Sequence, residues 1–342
     1  MTAPVMIAAG GTGGHVFPAL AVAAELQRRS VPVVWLGTHA GLEARVVPES
    51  GLEVEWLAIG GLRGKGWGVR LRAPFVLARA CWQALRALRR RRPRALLGMG
   101  GFVAGPGGLV ARVLRVPLVV HEQNAVAGLT NRVLARLARR VLEAMPDTFP
   151  PGRRAAATGN PVRADILGLA EPGQRFAQRS GPPRLLVLGG SQGARALNEH
   201  LPRALARLSD DARPVVRHQC GERHAESAAA AYRDAGVEAD VLPFIEDMAA
   251  AYGWADLVVG RAGAMSVWEL AAAGLPSLLV PFPHAVDDHQ TANARWLEAA
   301  GAAVVVQERD LDTQGLADAL EVMLGDRAAL AERASRAREL AR

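Results

Sequence analysis

Two side chains stand where chemistry would need them. Gly10-Gly-Thr-Gly-Gly-His15 follows the apolar run Val5–Ala9, and helical spacing takes over by Pro18, so His15 lies at the mouth of a strand-to-helix turn. An imidazole there, with an ordinary pKa of about 6.5, suits proton abstraction near neutrality. Taken alone, the segment also allows a histidine that only donates to a loop carbonyl. The second side chain is Glu269, in the helix that follows Gly260-Arg-Ala-Gly263. A helix starting at the carboxyl edge of a parallel sheet presents unpaired N–H groups and the positive end of its dipole, which suits a phosphate. Ser266-x-x-Glu269 equally fits a capping box, whose side chains merely satisfy the helix's own donors.

The elements that must position these residues repeat along the chain. Arg94–Gly98 reads as a strand before a Gly-rich turn (Gly98–Gly108), a helix, a strand Leu118–Val120 and a polar loop His121-Glu-Gln-Asn124. Later, Arg184–Leu188 runs into Gly189-Gly-Ser-Gln-Gly-Ala194, and Ala255–Val259, the Gly260–Gly263 turn, a helix and Ser277–Pro281 form a βαβ unit. His121-Glu-Gln-Asn124 stands where His289, Gln290 and Asn293 stand later. The expected fold is therefore α/β, two Rossmann-like doubly wound domains facing a central cleft, spanning 1–160 and 161–342 with a hinge near Gly159-Asn-Pro-Val-Arg163.

The Gly-rich turns exclude as much as they suggest. A dinucleotide site wants G-x-G-x-x-G and an acid ending the second strand, but Val33–Leu36 ends in Gly37-Thr38. A P-loop needs Gly-Lys-Ser/Thr, and the lone lysine, Lys65, lies elsewhere. With 342 residues, half of them apolar, the chain is globular and long enough for two cores. Cys81 and Cys220 lack metal-ligand spacing, so neither zinc nor a disulfide is expected and a reducing compartment is. No apolar run reaches spanning length and no signal peptide is evident, so a cytosolic protein is expected.

The net charge of +8 is carried almost wholly by arginine. It fits an anionic membrane surface, nucleic acid, or merely solvated faces. From Gly60 to Trp82, Lys65, Arg70 and Arg72 alternate with Trp67, Leu71 and Phe75, a pattern that suits an anionic bilayer. An amphipathic helix packed on the sheet explains it as well. The run Arg89–Arg92 reads as a solvated helix end.

The segments GGTGGHVFPALAVA, GLRGKG, GMGGFVAGPGG, HEQN with AGLTNR, TGNPVR, GGSQGA and GRAGAMSVWELAAAGLPSLLVPF, in this order, closely resemble the MurG family of bacterial N-acetylglucosaminyltransferases. The resemblance runs from about Val5 into the 330s. It implies a GT-B fold and inverting transfer of GlcNAc from UDP-GlcNAc to the 4-hydroxyl of MurNAc on undecaprenyl diphosphate, lipid I to lipid II. Carried over by position, donor contacts fall on Thr12, Gly13, Gly14, Asn124, Arg163, Ser191, Ile245 beside the uracil, Ala264, Met265, Ser266, Val267, Trp268, Glu269 and Gln290. Glu269 would hold the ribose hydroxyls. The acceptor diphosphate would meet Gly11, Gly14, Gly100 and Gly101, and Lys65, Trp67, Arg70, Leu71, Arg72 and Phe75 would face the membrane. The implied place is the cytoplasmic side of the bacterial inner membrane, peripheral, among other cell-wall synthesis proteins, with no nucleic acid. Family members often end in a helix that crosses back onto the first domain, and this chain is expected to stop before it.

In the implied reaction the attacking hydroxyl loses a proton as the sugar gains oxocarbenium character. His15 is the first candidate for the base, and Glu122 is the second or an orienting partner. Charge on the departing UDP would fall to the α-helix N-terminus before Glu269, the Ser191 turn and Arg163. No Asp-x-Asp pair demands a metal, and no cofactor is expected. The rivals are a UDP-GlcNAc 2-epimerase of the same fold, an arginine-rich nucleic-acid binder and a nicotinamide dehydrogenase.

Overall fold

The computed structural model describes residues 2–60, 67–190 and 193–341, those at 67–72 by their backbone alone. The chain divides into two compact units, Met1–Pro161 and Val162–Arg342.

In the first unit β1 (Val5–Ala9) leads through α1 (Gly13–Arg28), β2 (Val33–Gly37), α2 (Glu43–Glu49) and β3 (Glu53–Trp56) to the long α3 (Trp67–Arg91). Then come β4 (Ala95–Gly100), α4 (Ala104–Val113), β5 (Leu118–Glu122), α5 (Leu129–Leu134), β6 (Arg140–Glu143) and the short β7 (Ala156–Ala157). The strands form one sheet in the order β3-β2-β1-β4-β5-β6-β7, with every neighbour parallel. Strands β1 and β2 are buried along their whole length. Runs with no polar alternation need cover on both faces, which crossover helices supply. Side chains accordingly alternate between two cores: Met6 and Ala8 pack with Leu36 and Leu96, while Ile7 and Ala9 pack with Val16 and Trp35.

The second unit begins with α6 (Ala164–Leu167) and α7 (Pro172–Ala177), followed by β8 (Arg184–Leu188), α8 (Arg195–Leu205), β9 (Val215–Gln219), α9 (Ala225–Asp234) and β10 (Asp240–Leu242). It continues with α10 (Met248–Trp254), β11 (Leu257–Gly260), α11 (Ala264–Ala273), β12 (Ser277–Leu279), α12 (His289–Ala299), β13 (Ala303–Val305), α13 (Thr313–Gly325) and α14 (Arg327–Glu339). Its sheet has the order β10-β9-β8-β11-β12-β13, again wholly parallel. In each unit the first strand sits between the second and the fourth, so the strand order reverses between β1 and β4 and between β8 and β11. Ligands of doubly wound sheets bind outside the carboxyl ends of the strands at such a switch point. The Gly-rich turns after β1, β8 and β11 lie there.

Three local expectations are corrected. Gly98–Gly108 is not one long turn, because β4 runs through Gly100 and α4 takes in Gly105, Gly107 and Gly108. A Cβ on Gly107 would lie 2.8 Å from Leu36 and one on Gly108 2.6 Å from Leu134, so these glycines let the helix approach its neighbours. His121 and Glu122 are strand and not loop, since β5 pairs with β6 through His121–Leu142 and Glu122–Glu143. The basic end of α3 is not simply solvated: Arg90 and Arg91 both pair with Glu55 of the edge strand β3, and Arg91 also with Glu53.

Candidate functional site

At the first switch point His15 occupies the opening turn of α1, half-buried. Its Nδ1 lies 3.1 Å from Oε1 of Gln123, which is completely buried. The ring rests over Gly100, whose φ is +101°. A Cβ added there would sit 2.8 Å from the imidazole. Gly101 makes similar room for the Gly10 carbonyl, 2.1 Å from where a Cβ would be. Two turns, after β1 and β4, are thus pressed together by glycines, and the histidine is pinned where they meet.

Glu122, the alternative base, is 1% exposed. Its Oε1 accepts from the backbone N–H groups of Gln123 and Asn124 and from Asn124 Nδ2, each at 3.1 Å. Its Oε2 accepts from Gly128 N–H at 3.1 Å and Asn131 Nδ2 at 2.8 Å. Five donors on one buried carboxylate organise the loop after β5, and they orient Asn124, whose carbonyl also accepts from Thr148 Oγ1 at 3.2 Å. The geometry suits orientation far better than proton transfer.

Glu43 was not foreseen. Fully buried at the start of α2, it accepts from Gly11 N–H at 2.9 Å, Thr38 N–H at 3.1 Å and Thr38 Oγ1 at 2.7 Å. The acid missing from the end of β2 is supplied from beyond it, and it ties down the first turn where a dinucleotide site would bind ribose. The Gly11 amide, expected to face a diphosphate, is engaged by this carboxylate. Thr12 caps α1 by backbone geometry with no side-chain hydrogen bond, and the Phe17 ring lies against Gly13.

In the second unit α11 starts at Ala264 with Gly263 as its N-cap and no side-chain cap. Ser266 therefore falls inside the first turn, and the capping-box reading is overturned. Glu269 instead reaches Tyr252 of α10, whose hydroxyl lies 3.0 Å from Oε2, and Arg163, 3.4 Å from Oε1. Burial raises the Glu269 pKa above the usual carboxylate range, with Arg163 and the Tyr252 hydroxyl opposing it. A half-exposed guanidinium beside a carboxylate and an uncapped helix start make a polar corner suited to hydroxyls and phosphate.

The surrounding side chains hold that corner in shape. Asn293 Nδ2 donates to the Ala262 carbonyl at 3.1 Å, and Arg261 donates to the Val280 carbonyl at 3.1 Å while pairing with Glu308. Gln290 Oε1 accepts from Phe282 N–H at 2.9 Å, which fixes its place beyond β12. Trp268 turns into the unit and stacks on Trp296 at 4.7 Å; Ala264 and Val267 are buried as well, while Met265 and Ser266 are partly exposed. Ile245 is buried beside the exposed Phe244. Ser191 lies outside the described residues, between Gly190 and Gly193, both of positive φ. Lys65 also lies outside them, as do the side chains of Trp67, Arg70, Leu71 and Arg72. Phe75, by contrast, is 77% exposed on α3, with Trp82 and Leu77 also exposed.

These features describe a nucleotide-sugar-type α/β enzyme with one polar switch point in each unit, and comparison with known proteins makes the class definite. Residues 5–143 match the glycosyltransferase family 28 N-terminal domain and residues 184–342 the family 28 C-terminal domain. The chain belongs to glycosyltransferase family 28. Over all of its length it is 58% identical to a protein of Nitrosococcus oceani, 95% of which is covered. That protein is named UDP-N-acetylglucosamine–N-acetylmuramyl-(pentapeptide) pyrophosphoryl-undecaprenol N-acetylglucosamine transferase. A protein of the same name from Halorhodospira halophila is 58% identical over 99% of this chain and 94% of its own length. The crystal structure of Acinetobacter baumannii MurG superposes with a TM-score of 0.86 at 44% identity, covering 99% of this chain and 95% of that one. Both units thus have the GT-B architecture's parallel α/β sheets, as the resemblance implied.

Proposed function

We propose that this chain transfers GlcNAc from UDP-GlcNAc to the 4-hydroxyl of MurNAc in undecaprenyl-diphosphate-MurNAc-pentapeptide, with inversion, converting lipid I to lipid II. The observation that carries the reading is the Glu269 corner: an acceptor carboxylate, fixed by Tyr252 and Arg163, beside an uncapped helix start. Those groups suit the ribose hydroxyls and pyrophosphate of a nucleotide sugar. The full-length likeness to relatives bearing the transferase name supplies the sugar and the acceptor.

The steps follow from the residues. His15 takes the proton of the attacking hydroxyl as the new C1–O bond forms. The C1–O bond to UDP breaks on the opposite face, so the α-linked donor gives a β-linked product. The leaving diphosphate gains negative charge, which the amides at the start of α11 and the Arg163 guanidinium stabilise. Glu269 holds the ribose, Ile245 lies by the uracil and Gln290 closes the far side of the donor. Glu122 acts by orienting Asn124 and its loop, and the glycines of the first unit's turns admit the acceptor diphosphate.

Among the described residues no helix is long and apolar enough to cross a membrane. The lipid-linked acceptor is met, we propose, by docking the face of α3 that carries the exposed Phe75 and Trp82 on the anionic cytoplasmic leaflet, near other cell-wall synthesis proteins. Trp82 carries the Arg86 guanidinium over its ring at 4.7 Å, which joins apolar and cationic groups on one patch. Phe75→Ser with Trp82→Ser should weaken binding to phosphatidylglycerol vesicles and spare transfer to a short-chain acceptor.

The decisive experiment follows labelled GlcNAc from UDP-GlcNAc onto a lipid I analogue. A β-linked disaccharide product is expected, abolished by Glu269→Ala and slowed by His15→Ala without loss of donor binding. Epimerised UDP-sugar in place of transfer would overturn the reading.

A further inference from the structure

Four groups of the first unit form a hydrogen-bonded line: the Gly159 carbonyl, His121, Gln123 and His15. His121 Nε2 lies 3.0 Å from the carbonyl oxygen of Gly159. A carbonyl only accepts, so that nitrogen carries a hydrogen. His121 is buried, and burial holds its pKa below the ordinary histidine value. The ring is therefore neutral, and its Nδ1 is an acceptor. Gln123 Nε2 lies 3.2 Å from that Nδ1 and 3.2 Å from the His121 carbonyl oxygen. Both are acceptors, so the NH2 end of the amide must face them. Turned the other way, the amide oxygen would oppose two lone pairs inside a buried site.

The consequence reaches His15. With its NH2 committed, Gln123 presents Oε1 to His15 Nδ1 at 3.1 Å. That nitrogen must then be the donor, and in a neutral imidazole the lone pair is left on Nε2. The backbone of Gln123 is held as well, its carbonyl accepting from Asn160 Nδ2 at 3.0 Å.

We propose that Gln123 is a positioning residue that locks His15 in its Nδ1–H tautomer and so makes Nε2 the nitrogen that accepts the sugar hydroxyl's proton. This rests on His15 being the base. The order of hydrogens is set at the Gly159 carbonyl and passed on through two side chains. An amide in this place fixes the tautomer without adding a charge beside the base, unlike the carboxylate that orients the histidine of a Ser-His-Asp triad.

The test is long-range 1H–15N correlation on the full chain labelled at histidine, with the His15 signals assigned by their loss in His15→Gln. Wild type should show His15 as Nδ1–H. Gln123→Leu should release the Nε2–H form and lower kcat about a hundredfold, the scale of general-base catalysis, with the KM for UDP-GlcNAc unchanged. Gln123→Glu is the partner variant for a chain that tolerates leucine poorly. As a neutral acid it can donate to His121 and still present an oxygen to His15, so Nδ1–H should persist. Nε2–H in the wild type, or an unchanged tautomer in Gln123→Leu, would overturn the proposal. The outcome differs from failure of the base assignment, in which His15→Ala keeps its turnover while the tautomer remains locked.

Discussion

The Tyr252 hydroxyl donates to Oε2 of Glu269 at 3.0 Å, from α10 to α11, and Tyr252 is almost wholly buried. Burial and the neighbouring Glu269 carboxylate together push the Tyr252 phenol far above its usual range, so it stays a donor at any physiological pH. It therefore holds one oxygen of Glu269 while Arg163 approaches the other. Tyr252→Phe removes a hydrogen bond to a charged acceptor, an interaction of about 1.5–3 kcal/mol. The KM for UDP-GlcNAc should rise by roughly tenfold or more, with kcat little changed. Steady-state kinetics with the donor varied will show it, and a fall in kcat alone would contradict the positioning role.

Glu269 itself carries a cost that depends on pH. Its folded pKa is raised, chiefly by burial, so the unfolded chain gives up this proton first as pH rises. The stability the protonated group contributes is complete below the unfolded carboxylate pKa and is lost as pH climbs through the folded value. Glu269→Gln cannot ionise and escapes that loss. The Tm of the variant relative to wild type should therefore increase from pH 4 to pH 7, while donor affinity falls by at least about tenfold. Differential scanning fluorimetry across that range reads the first effect, and calorimetric titration with UDP-GlcNAc reads the second.

Gly100 offers a sharper test of the first unit. Its φ of +101° strains any L residue, and a Cβ there would press on the His15 ring. Gly100→Ala should cost about 1–3 kcal/mol of stability from the backbone and lower kcat by about a hundredfold through displacement of the base. The contacts proposed for UDP itself, at Arg163, Ile245 and Glu269, lie in the second unit, so UDP affinity should hold. Equal loss of kcat and of UDP affinity would show that the two turns do not act separately.

How far these features were legible depended on whether they were local. The Gly-rich turns and the runs VMIAA and RLLVL are written in neighbouring residues, and the parallel sheets follow from them. The first turn of α11 was less so: Ser266 and Glu269 have capping-box spacing, yet the helix starts at Ala264 with Gly263 as its cap. Glu43 could not be read, because it binds Gly11 from 32 positions away and nothing in its own segment marks it. Tyr252 was hidden for the same reason. HEQN was visible as a polar segment, but its division of labour was not. Only pairing with β6 shows that His121 and Glu122 belong to a strand, which buries one as a loop anchor and leaves Gln123 to face His15.

His218 gives a prediction about the acid limb of stability. It is completely buried in β9, its Nδ1 2.9 Å from the Tyr232 hydroxyl, while its Nε2 has no partner among the described residues. Burial depresses its pKa to about 4. Between that value and the unfolded value of about 6.5, the unfolded chain binds a proton that the folded one refuses. Stability is thus complete above the unfolded pKa and falls as pH drops toward 4, by about 3 kcal/mol from this residue. His218→Gln keeps a partner for Tyr232 and has no proton to take up in this range. Urea unfolding at pH 7 and pH 4.5 should show wild type losing more stability than the variant between the two, and equal losses would mean that the acid sensitivity lies elsewhere.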